Sequence, residues 1–200
     1  MKKILSLGLI LLLGNGCAVF RNNSIPEAVA FPQVQNQPSI ALSFKLTHTV
    51  NGFPASLGAD DPDELESLQT ERFKQSGMFG TVGNKTYKAD YTLKTQVKSN
   101  KESNVLGSAL TGATLYVFPS CSGFSYNLRA TLINNKTQKK SIIRLHDSYK
   151  LCQQLLLIFA APFKPALTEP QKLRENLFDT LVLRVHKEIE KQEKASKSSH

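Results

Sequence analysis

Two short stretches of the sequence contain side chains suited to nucleophilic or acid–base chemistry. Cys121 lies in Pro119-Ser120-Cys121-Ser122-Gly123, which lacks the Gly-x-Ser-x-Gly spacing of a nucleophile elbow. A cysteine nucleophile also needs a histidine base nearby, and His146 is the candidate. His146 and Asp147 have the residue types of a catalytic dyad, but neighbouring residues of a strand point to opposite faces of a sheet. We therefore predict no catalytic residue and no enzymatic activity.

The residue types and their spacing argue against a phosphate-binding loop and against a metal site. The segment 107–112 has the glycine spacing of a phosphate-binding loop, but Ala113-Thr114 stands where Lys followed by Ser or Thr is required. The four histidines are scattered, without the short spacings of metal ligands. The acidic residues between Asp60 and Glu64 are accounted for by the start of a helix, where carboxylates are favoured. The sequence therefore predicts neither a cofactor nor a metal.

The amino terminus has the layout of an export signal. Lys2 and Lys3 precede an uncharged, leucine-rich run, and small residues lead from that run to Cys17. The apolar run has about half of the ~20 residues that span a bilayer, so we expect cleavage rather than a retained membrane helix.

The cleavage region, Gly14-Asn15-Gly16-Cys17, resembles the lipobox of bacterial lipoproteins. This resemblance implies that Cys17 is the lipidation site: its thiol is diacylated, residues 1–16 are removed, and the new amine is acylated. Ala18 follows the cysteine where Asp would signal inner-membrane retention, which implies an outer-membrane protein that faces the periplasm. An ordinary secreted protein cut near Gly16 is the alternative.

The chain is basic. Its formal net charge is +9, and removal of Lys2 and Lys3 with the signal leaves +7. Much of the excess lies between Lys136 and Arg144 and between Lys187 and Lys197. Two interpretations stay open: charge exposed to solvent on a sheet face and a frayed tail, or contacts with anionic lipid or glycan. Export, and the lack of aromatic residues among the basic runs, argue against nucleic acid as a partner.

Alternation of apolar residues predicts four strands, at about 40–50, 89–97, 124–132 and 139–149. Asp61 as N-cap, Pro62 at the first helical position and Gly77 as a stop predict a helix between the first two strands. A second helix begins near Thr168, with five apolar residues in one line: Leu173, Leu177, Leu181, Val185 and Ile189. The order β-α-β-β-β-α predicts an α+β fold, a small mixed/antiparallel four-stranded sheet with two helices packed on one face.

We expect four regions along the chain. These are a signal peptide (1–16), a lipidated cysteine with a flexible tether (17–38), a single α+β domain (39–190) and a disordered tail (191–200). Three prolines and the absence of periodicity suggest the tether, and the polar sequence after Glu190 suggests the tail.

Two segments of the domain resemble a known family. Phe73-Lys74-Gln75-Ser76-Gly77-Met78-Phe79, followed by Ala89-Asp90-Tyr91-Thr92-Leu93, is similar to small envelope lipoproteins related to the TolB amino-terminal domain. Curli-secretion lipoproteins and the lipoprotein activators of penicillin-binding proteins share that general fold. The resemblance covers roughly residues 39–98 and implies an α+β fold and an envelope location. Its motif carries no catalytic residues.

Two apolar segments, 105–119 and 155–163, are too short to cross a membrane. Their positions next to strand ends place both at one edge of the predicted sheet. Three interpretations stay open: the segments cap the core, form walls of an apolar pocket, or dock onto a partner protein or lipid. The residues of the candidate interaction patch are Leu115, Phe118, Leu155, Leu156, Ile158 and Phe159.

Hairpin register predicts a disulfide between the two cysteines that remain after lipidation. A two-residue turn at Lys136-Thr137 pairs residues whose numbers sum to 273, as do those of Cys121 and Cys152. The periplasm is oxidising, and an exported pair of cysteines is usually bridged. No Cys-x-x-Cys motif is present in the sequence, so we expect a structural bond rather than a redox centre.

These observations predict an outer-membrane lipoprotein that acts as a non-enzymatic accessory module of an envelope assembly. The expected partners are the membrane, through the lipid anchor, and an envelope protein. A carrier of a lipid or other apolar ligand is the alternative, and a deep apolar cavity would favour it over docking.

Overall fold

The computed structural model describes residues 17–28, 30–56, 60–114, 118, 120–153 and 168–197. Within these residues, seven strands form one sheet: β1 (Cys17–Arg21), β2 (Ile40–Val50), β3 (Phe53–Pro54), β4 (Val82–Asn84), β5 (Tyr91–Ser103), β6 (Ser120–Asn134) and β7 (Lys140–Gln153). The helices are α1 (Pro62–Gln75), α2 (Val105–Ala113) and α3 (Glu169–Lys197).

The predicted α+β class is confirmed, but the sheet has more than four strands. The four predicted strands correspond to β2, β5, β6 and β7. Of the three additional strands, β3 and β4 have two and three residues, too short for an alternating pattern to reveal them, and β1 lies in the predicted tether. Helix α2 lies within the apolar segment 105–119, where the sequence pattern predicted no helix or strand.

The sheet is mixed, with the order β1-β7-β6-β5-β2-β3 and β4 beside β2. Strands β2 and β5 are parallel over eleven residue pairs, from Ile40 opposite Tyr91 to Val50 opposite Lys101. Helix α1 forms part of the connection between them, as a parallel pair requires. The pairs β5–β6 and β6–β7 are antiparallel.

One face of the sheet is buried and the other is open. Along β5, β6 and β7 the inward members of the alternation are buried, including Leu93, Leu128 and Leu145. Helices α1 and α3 contact each other and the sheet, and their apolar sides close the core. The outward residues in the middle of these strands are largely exposed.

The signals for the first helix act as predicted. The Asp61 carboxylate accepts a hydrogen bond from the Asp63 amide at 2.9 Å, and Pro62 is the first helical residue. Gly77, at φ +64°, follows the last turn in a conformation that other residues rarely adopt. Leu65 and Phe73, on the inner side of α1, are buried.

Helix α3 is longer than the sequence suggested. Its predicted apolar line is buried throughout, including Leu177 and Val185. The helix continues to Lys197, so the described part of 191–200 is helical rather than disordered. A tertiary contact holds this part of the helix against the sheet: Gln192 is buried, and its side-chain amide donates to the Ser141 hydroxyl of β7 at 3.0 Å.

The described part of the predicted tether, 17–38, is folded onto the domain. Strand β1 pairs with the end of β7, and Val19 and Ile25 are buried in the core. The Asn176 side chain of α3 accepts from the Ala28 amide at 2.6 Å and donates to the Pro26 carbonyl at 3.2 Å. Prolines and polar residues therefore run along the domain surface here instead of forming a flexible linker.

Candidate interaction surfaces

The structure joins Cys121 and Cys152, which lie directly opposite each other on β6 and β7. Their Cα atoms are 4.1 Å apart, and a sulfur in a disulfide is not available as a nucleophile. Throughout this strand pair the residue numbers sum to 273, as in Leu128 opposite Leu145.

The turn that sets this register differs from the predicted one. Four residues, Asn135 to Gln138, form the loop, and the Gln138 amide donates to the Asn134 carbonyl at 2.8 Å. Gln138 has a φ of +58°. The Asn134 side chain accepts from the amides of Lys136 and Thr137 and holds the loop closed. Because this loop has the same centre as the predicted two-residue turn, the register is unchanged.

His146 and Asp147 point to opposite sides of β7. The imidazole of His146 is exposed, and its Nδ1 lies 2.9 Å from the Asn127 side-chain oxygen. Asp147 is fully buried, with Arg21 Nη2 at 3.1 Å and the Ser24 amide at 3.2 Å from its carboxylate. This arrangement cannot serve as a catalytic dyad, because the two side chains do not meet.

A buried ionic cluster lies under the start of α1. The Asp60 carboxylate accepts hydrogen bonds from the Tyr126 hydroxyl at 2.7 Å, from Arg174 Nη1 at 3.0 Å and from the Ser99 hydroxyl at 2.8 Å. His48 Nε2 lies 2.9 Å from the Asp60 carbonyl. The cluster thus ties β2, β5, β6 and α3 to the chain before α1, and both oxygens of the carboxylate accept hydrogen bonds from these partners.

Two tyrosines of this region have displaced pKa values. Burial raises the pKa of Tyr126 well above its usual range, and the nearby Asp60 carboxylate adds to the effect. Burial, with a smaller contribution from Asp60, raises the pKa of Tyr149 to about 12. Tyr149 stacks on Phe124 with ring centroids 4.9 Å apart. Neither phenol is poised to lose a proton near neutral pH, so we assign both to the core.

Five strand ends meet at one end of the sheet, which we call the anchor end: Cys17 of β1, Val50 of β2, Ser103 of β5, Ser120 of β6 and Gln153 of β7. The register places Gln153 opposite both Cys17 and Ser120. The predicted lipidation residue is therefore the first residue of an edge strand. Its backbone is directly continuous with the folded sheet.

The anchor end exposes large apolar side chains. Phe53, Leu110 of α2 and Phe118 are 74%, 59% and 60% exposed, respectively. Phe118 is the one member of the predicted interaction patch within the described residues. The remaining members lie outside them: Leu115, Leu155, Leu156, Ile158 and Phe159. The strands that flank both predicted apolar segments nevertheless end here, at Ser103, Ser120 and Gln153.

The open sheet face carries a concentration of positive charge, and we call it the basic face. The outward-facing positions of the described strands carry seven cationic side chains and one carboxylate, Glu102. The cations are Lys45, Lys94, Lys98, Arg129, Lys140, Arg144 and Lys150. No salt bridge within the described ranges includes any of the seven. Phe20 and Ile142 are exposed on the same face.

An open groove of about 820 Å³ lies between the β6–β7 loop and the end of α3. Its walls are mainly polar and include Gln37, Asp90, Asn134, Lys136, Gln192 and Glu193. The Asp90 carboxylate accepts a hydrogen bond from the Ser39 hydroxyl at 2.7 Å, and this bond lowers the pKa of Asp90. Such a lining does not suit an apolar ligand.

Two further properties concern the described residues alone. They contain no group of three or more His, Cys, Asp or Glu side chains arranged to hold a metal ion. They also contain no helix whose length and apolar character would carry it across a membrane.

Comparisons with known proteins identify no family. No protein-family model matches the chain, and no curated protein matches it. The chain is similar to a single-substitution variant of the PelC dodecamer from Paraburkholderia phytofirmans, at 11% identity and a TM-score of 0.35, over 85% of this chain and 97% of that one. It is also similar to a putative neuraminyllactose-binding hemagglutinin homolog from Helicobacter pylori, at 13% identity and a TM-score of 0.47, over 89% and 98%. At these TM-scores the similarities define neither fold nor ligand.

The sequence indicated only part of the basic face, Lys140 and Arg144, and it did not reveal the Asp60 cluster. The signal for the face was present, because its cations occupy the polar positions of the alternating strands, such as Lys94 and Lys98 on β5. Charge summed along the chain concentrates at Lys136–Arg144 and in the tail, whereas the other cations of the face are dispersed over four strands. The Asp60 cluster carried no local signal, since its members are far apart in sequence.

Proposed function

We propose that this chain is an outer-membrane lipoprotein, anchored through Cys17 and facing the periplasm, that acts as a non-enzymatic accessory module of an envelope assembly. The export signal and the lipobox-like sequence before Cys17 support the anchor. Two or more acyl chains hold a protein on a membrane essentially permanently.

The position of Cys17 at the start of β1 is the observation that carries this proposal. Lipid on this residue would be joined to a paired strand rather than to a flexible linker, because Ala18 is already opposite Cys152. The folded domain would then lie at the membrane surface, beside other proteins of the envelope. Exposed apolar side chains at the anchor end, Phe53, Leu110 and Phe118, supply a contact surface for one of them.

The residues with catalytic potential support a non-enzymatic role. Cys121 is bonded to Cys152, and His146 and Asp147 have separate partners on opposite sides of β7. The lipid-carrier alternative requires an apolar cavity. The open grooves beside α3 combine polar residues, among them Asn36 and Glu193, with apolar ones and are not enclosed apolar cavities, which favours docking as the role we propose.

Two measurements test the proposal. Mass spectrometry of the membrane-extracted protein should show an amino-terminal Cys17 with acyl groups on its thiol and amine. A photo-crosslinking residue at Phe118 should trap a defined envelope protein in intact cells, whereas the same residue at Tyr87, exposed on the link between β4 and β5, should not. An unmodified start after residue 17 would remove the anchor, and equal trapping at both positions would remove the docking role.

A further inference from the structure

We infer that the basic face is a membrane-contact surface, which binds the phosphate-bearing headgroups of anionic lipids and holds the domain flat beside its anchor. This inference deepens the proposed function and rests on it, because the anchor brings the face to the membrane.

The first argument is the uncompensated charge. In the row Lys45–Gln96–Arg129–Arg144, three of four lateral neighbours are cations, and all four side chains are exposed. Arg129 lies directly opposite Arg144, an arrangement that destabilises a strand pair through like-charge repulsion. No carboxylate of the described residues is within salt-bridge distance of either guanidinium. An anion bound from outside would relieve this repulsion, which makes the ligand of the face anionic.

The second argument distinguishes a membrane from a soluble polyanion. The two grooves lined by residues 33–38 and α3 lie away from the basic face. It does carry two exposed apolar side chains, Phe20 and Ile142, each 48% exposed. Cations with apolar residues on one surface suit the headgroup region, where the apolar groups insert and the cations meet phosphates.

The third argument is continuity with the anchor. Phe20 is opposite Lys150, and Cys17 lies three residues before Phe20 on the same strand. At ~3.3 Å per residue, the lipidated residue is about 10 Å from the edge of the basic face. That distance is close to the Debye length at physiological salt, within which surface cations and headgroups attract. With the face on the membrane, the anchor end points along the membrane plane, where an envelope partner would meet Leu110 and Phe118.

The experiment uses the natively acylated full-length product, extracted and reconstituted into vesicles. Vesicles of phosphatidylcholine alone are compared with vesicles that also contain phosphatidylglycerol. A water-soluble amine reagent labels lysines, and mass spectrometry reads the labelling rate of Lys94 and Lys98 on the face. Exposed lysines away from the face, Lys74 and Lys187, are internal controls. We expect Lys94 and Lys98 to be labelled more slowly on vesicles that contain phosphatidylglycerol than on vesicles of phosphatidylcholine alone. Added salt should restore their labelling rate, and the labelling rates of Lys74 and Lys187 should stay the same in all conditions.

A charge-matched pair of variants sharpens the test. Each cation near an anionic surface contributes about fivefold to the face-down orientation, so Arg129→Gln with Arg144→Gln should shift that equilibrium about 30-fold and lower the salt concentration at which protection is lost. Lys187→Gln with Lys191→Gln removes the same charge from α3 and should leave protection intact. Because all four side chains are exposed, both variants should keep the native circular dichroism spectrum.

The remaining outcomes overturn the inference. Equal labelling of face and control lysines on both vesicles would show that the face does not contact the membrane. Protection of Lys94 by soluble polyglutamate, without protection by anionic vesicles, would assign the face to a soluble polyanion instead. The same spectra report acylation: an unmodified Cys17 counts against the proposed function, whereas an acylated Cys17 with an unprotected face counts against this inference alone.

Discussion

Arg21 and Asp147 form a buried ion pair that fastens the first strand to the sheet. Nη2 of Arg21 lies 3.1 Å from the Asp147 carboxylate, and the two side chains are 7% and 0% exposed. Asp147 also accepts from the amides of Ser24 and Ser148 at 3.2 and 2.8 Å. One carboxylate of β7 thus sets the direction of the chain as it leaves β1.

Asp147→Asn should lower the free energy of unfolding by about 3–5 kcal/mol, because it removes the buried counter-ion of Arg21 and leaves only the exposed Glu27, 4.0 Å away. Urea unfolding of the variant measures this loss. Hydrogen exchange should show faster exchange of the β1 amides that pair with β7. Glu27→Gln is the control, since Glu27 is 86% exposed and 4.0 Å from Arg21, and it should cost less than about 0.5 kcal/mol. Equal losses in both variants would contradict the assigned role of Asp147.

The contrast between β1 and the long strands shows what sequence patterns can and cannot predict. Strands β5 to β7 were predicted from the alternation of apolar and polar residues, because each strand has a buried face long enough to show that pattern. Strand β1 has five residues, and its stability comes from contacts with β7 more than a hundred positions away, such as Arg21 with Asp147. Prolines and polar residues alone therefore suggested a tether.

The Asp60 cluster makes a second stability prediction. Asp60→Asn should cost about 3 kcal/mol, because Arg174 would keep its charge in a site where it is 16% exposed and has lost its main partner. Asp63→Asn, an exposed acid in the first turn of α1, should cost less than about 1 kcal/mol. Urea unfolding at neutral pH compares the two. If Asp60→Asn were as mild as Asp63→Asn, the cluster would not be holding α3 to the sheet.

The buried tyrosines predict a loss of stability at high pH. The pKa of Tyr149 is raised to about 12 in the folded state, against about 10 in an unfolded chain. The folded state therefore holds this proton more tightly, so the contribution is complete below pH ~10 and is lost as the pH rises through ~12. Tyr149→Phe removes the ionisable group and should show a smaller decline in unfolding free energy between these pH values. Identical declines for the variant and the wild type would contradict the raised pKa.

The Cys121–Cys152 bond should stabilise the domain by limiting the unfolded chain. The two cysteines are 31 residues apart, for which the chain-entropy model gives ~3–4 kcal/mol. Replacing both cysteines with serine should lower the unfolding free energy by about that amount, without leaving a free thiol. Thiol counting on denatured, unreduced protein from the periplasm checks the bond itself. Two free thiols per chain would show that it does not form in the cell.

The direct attachment of the anchor to β1 predicts the effect of adding a linker. Inserting a flexible Gly/Ser segment of about ten residues between Cys17 and Ala18 breaks one strand pair, Cys17 with Gln153, and leaves the rest of β1 in place. Such a segment spans about 18 Å, beyond the Debye length at physiological salt, so the anchor no longer holds the basic face against the headgroups. Protection of Lys94 and Lys98 from the amine reagent should then be lost at a lower salt concentration than in the wild type. The same segment inserted between Lys136 and Thr137, in the exposed β6–β7 loop, adds equal length without separating anchor from face and should leave the salt dependence unchanged. If the two insertions behaved alike, the orientation of the domain would not depend on the rigid junction at Cys17.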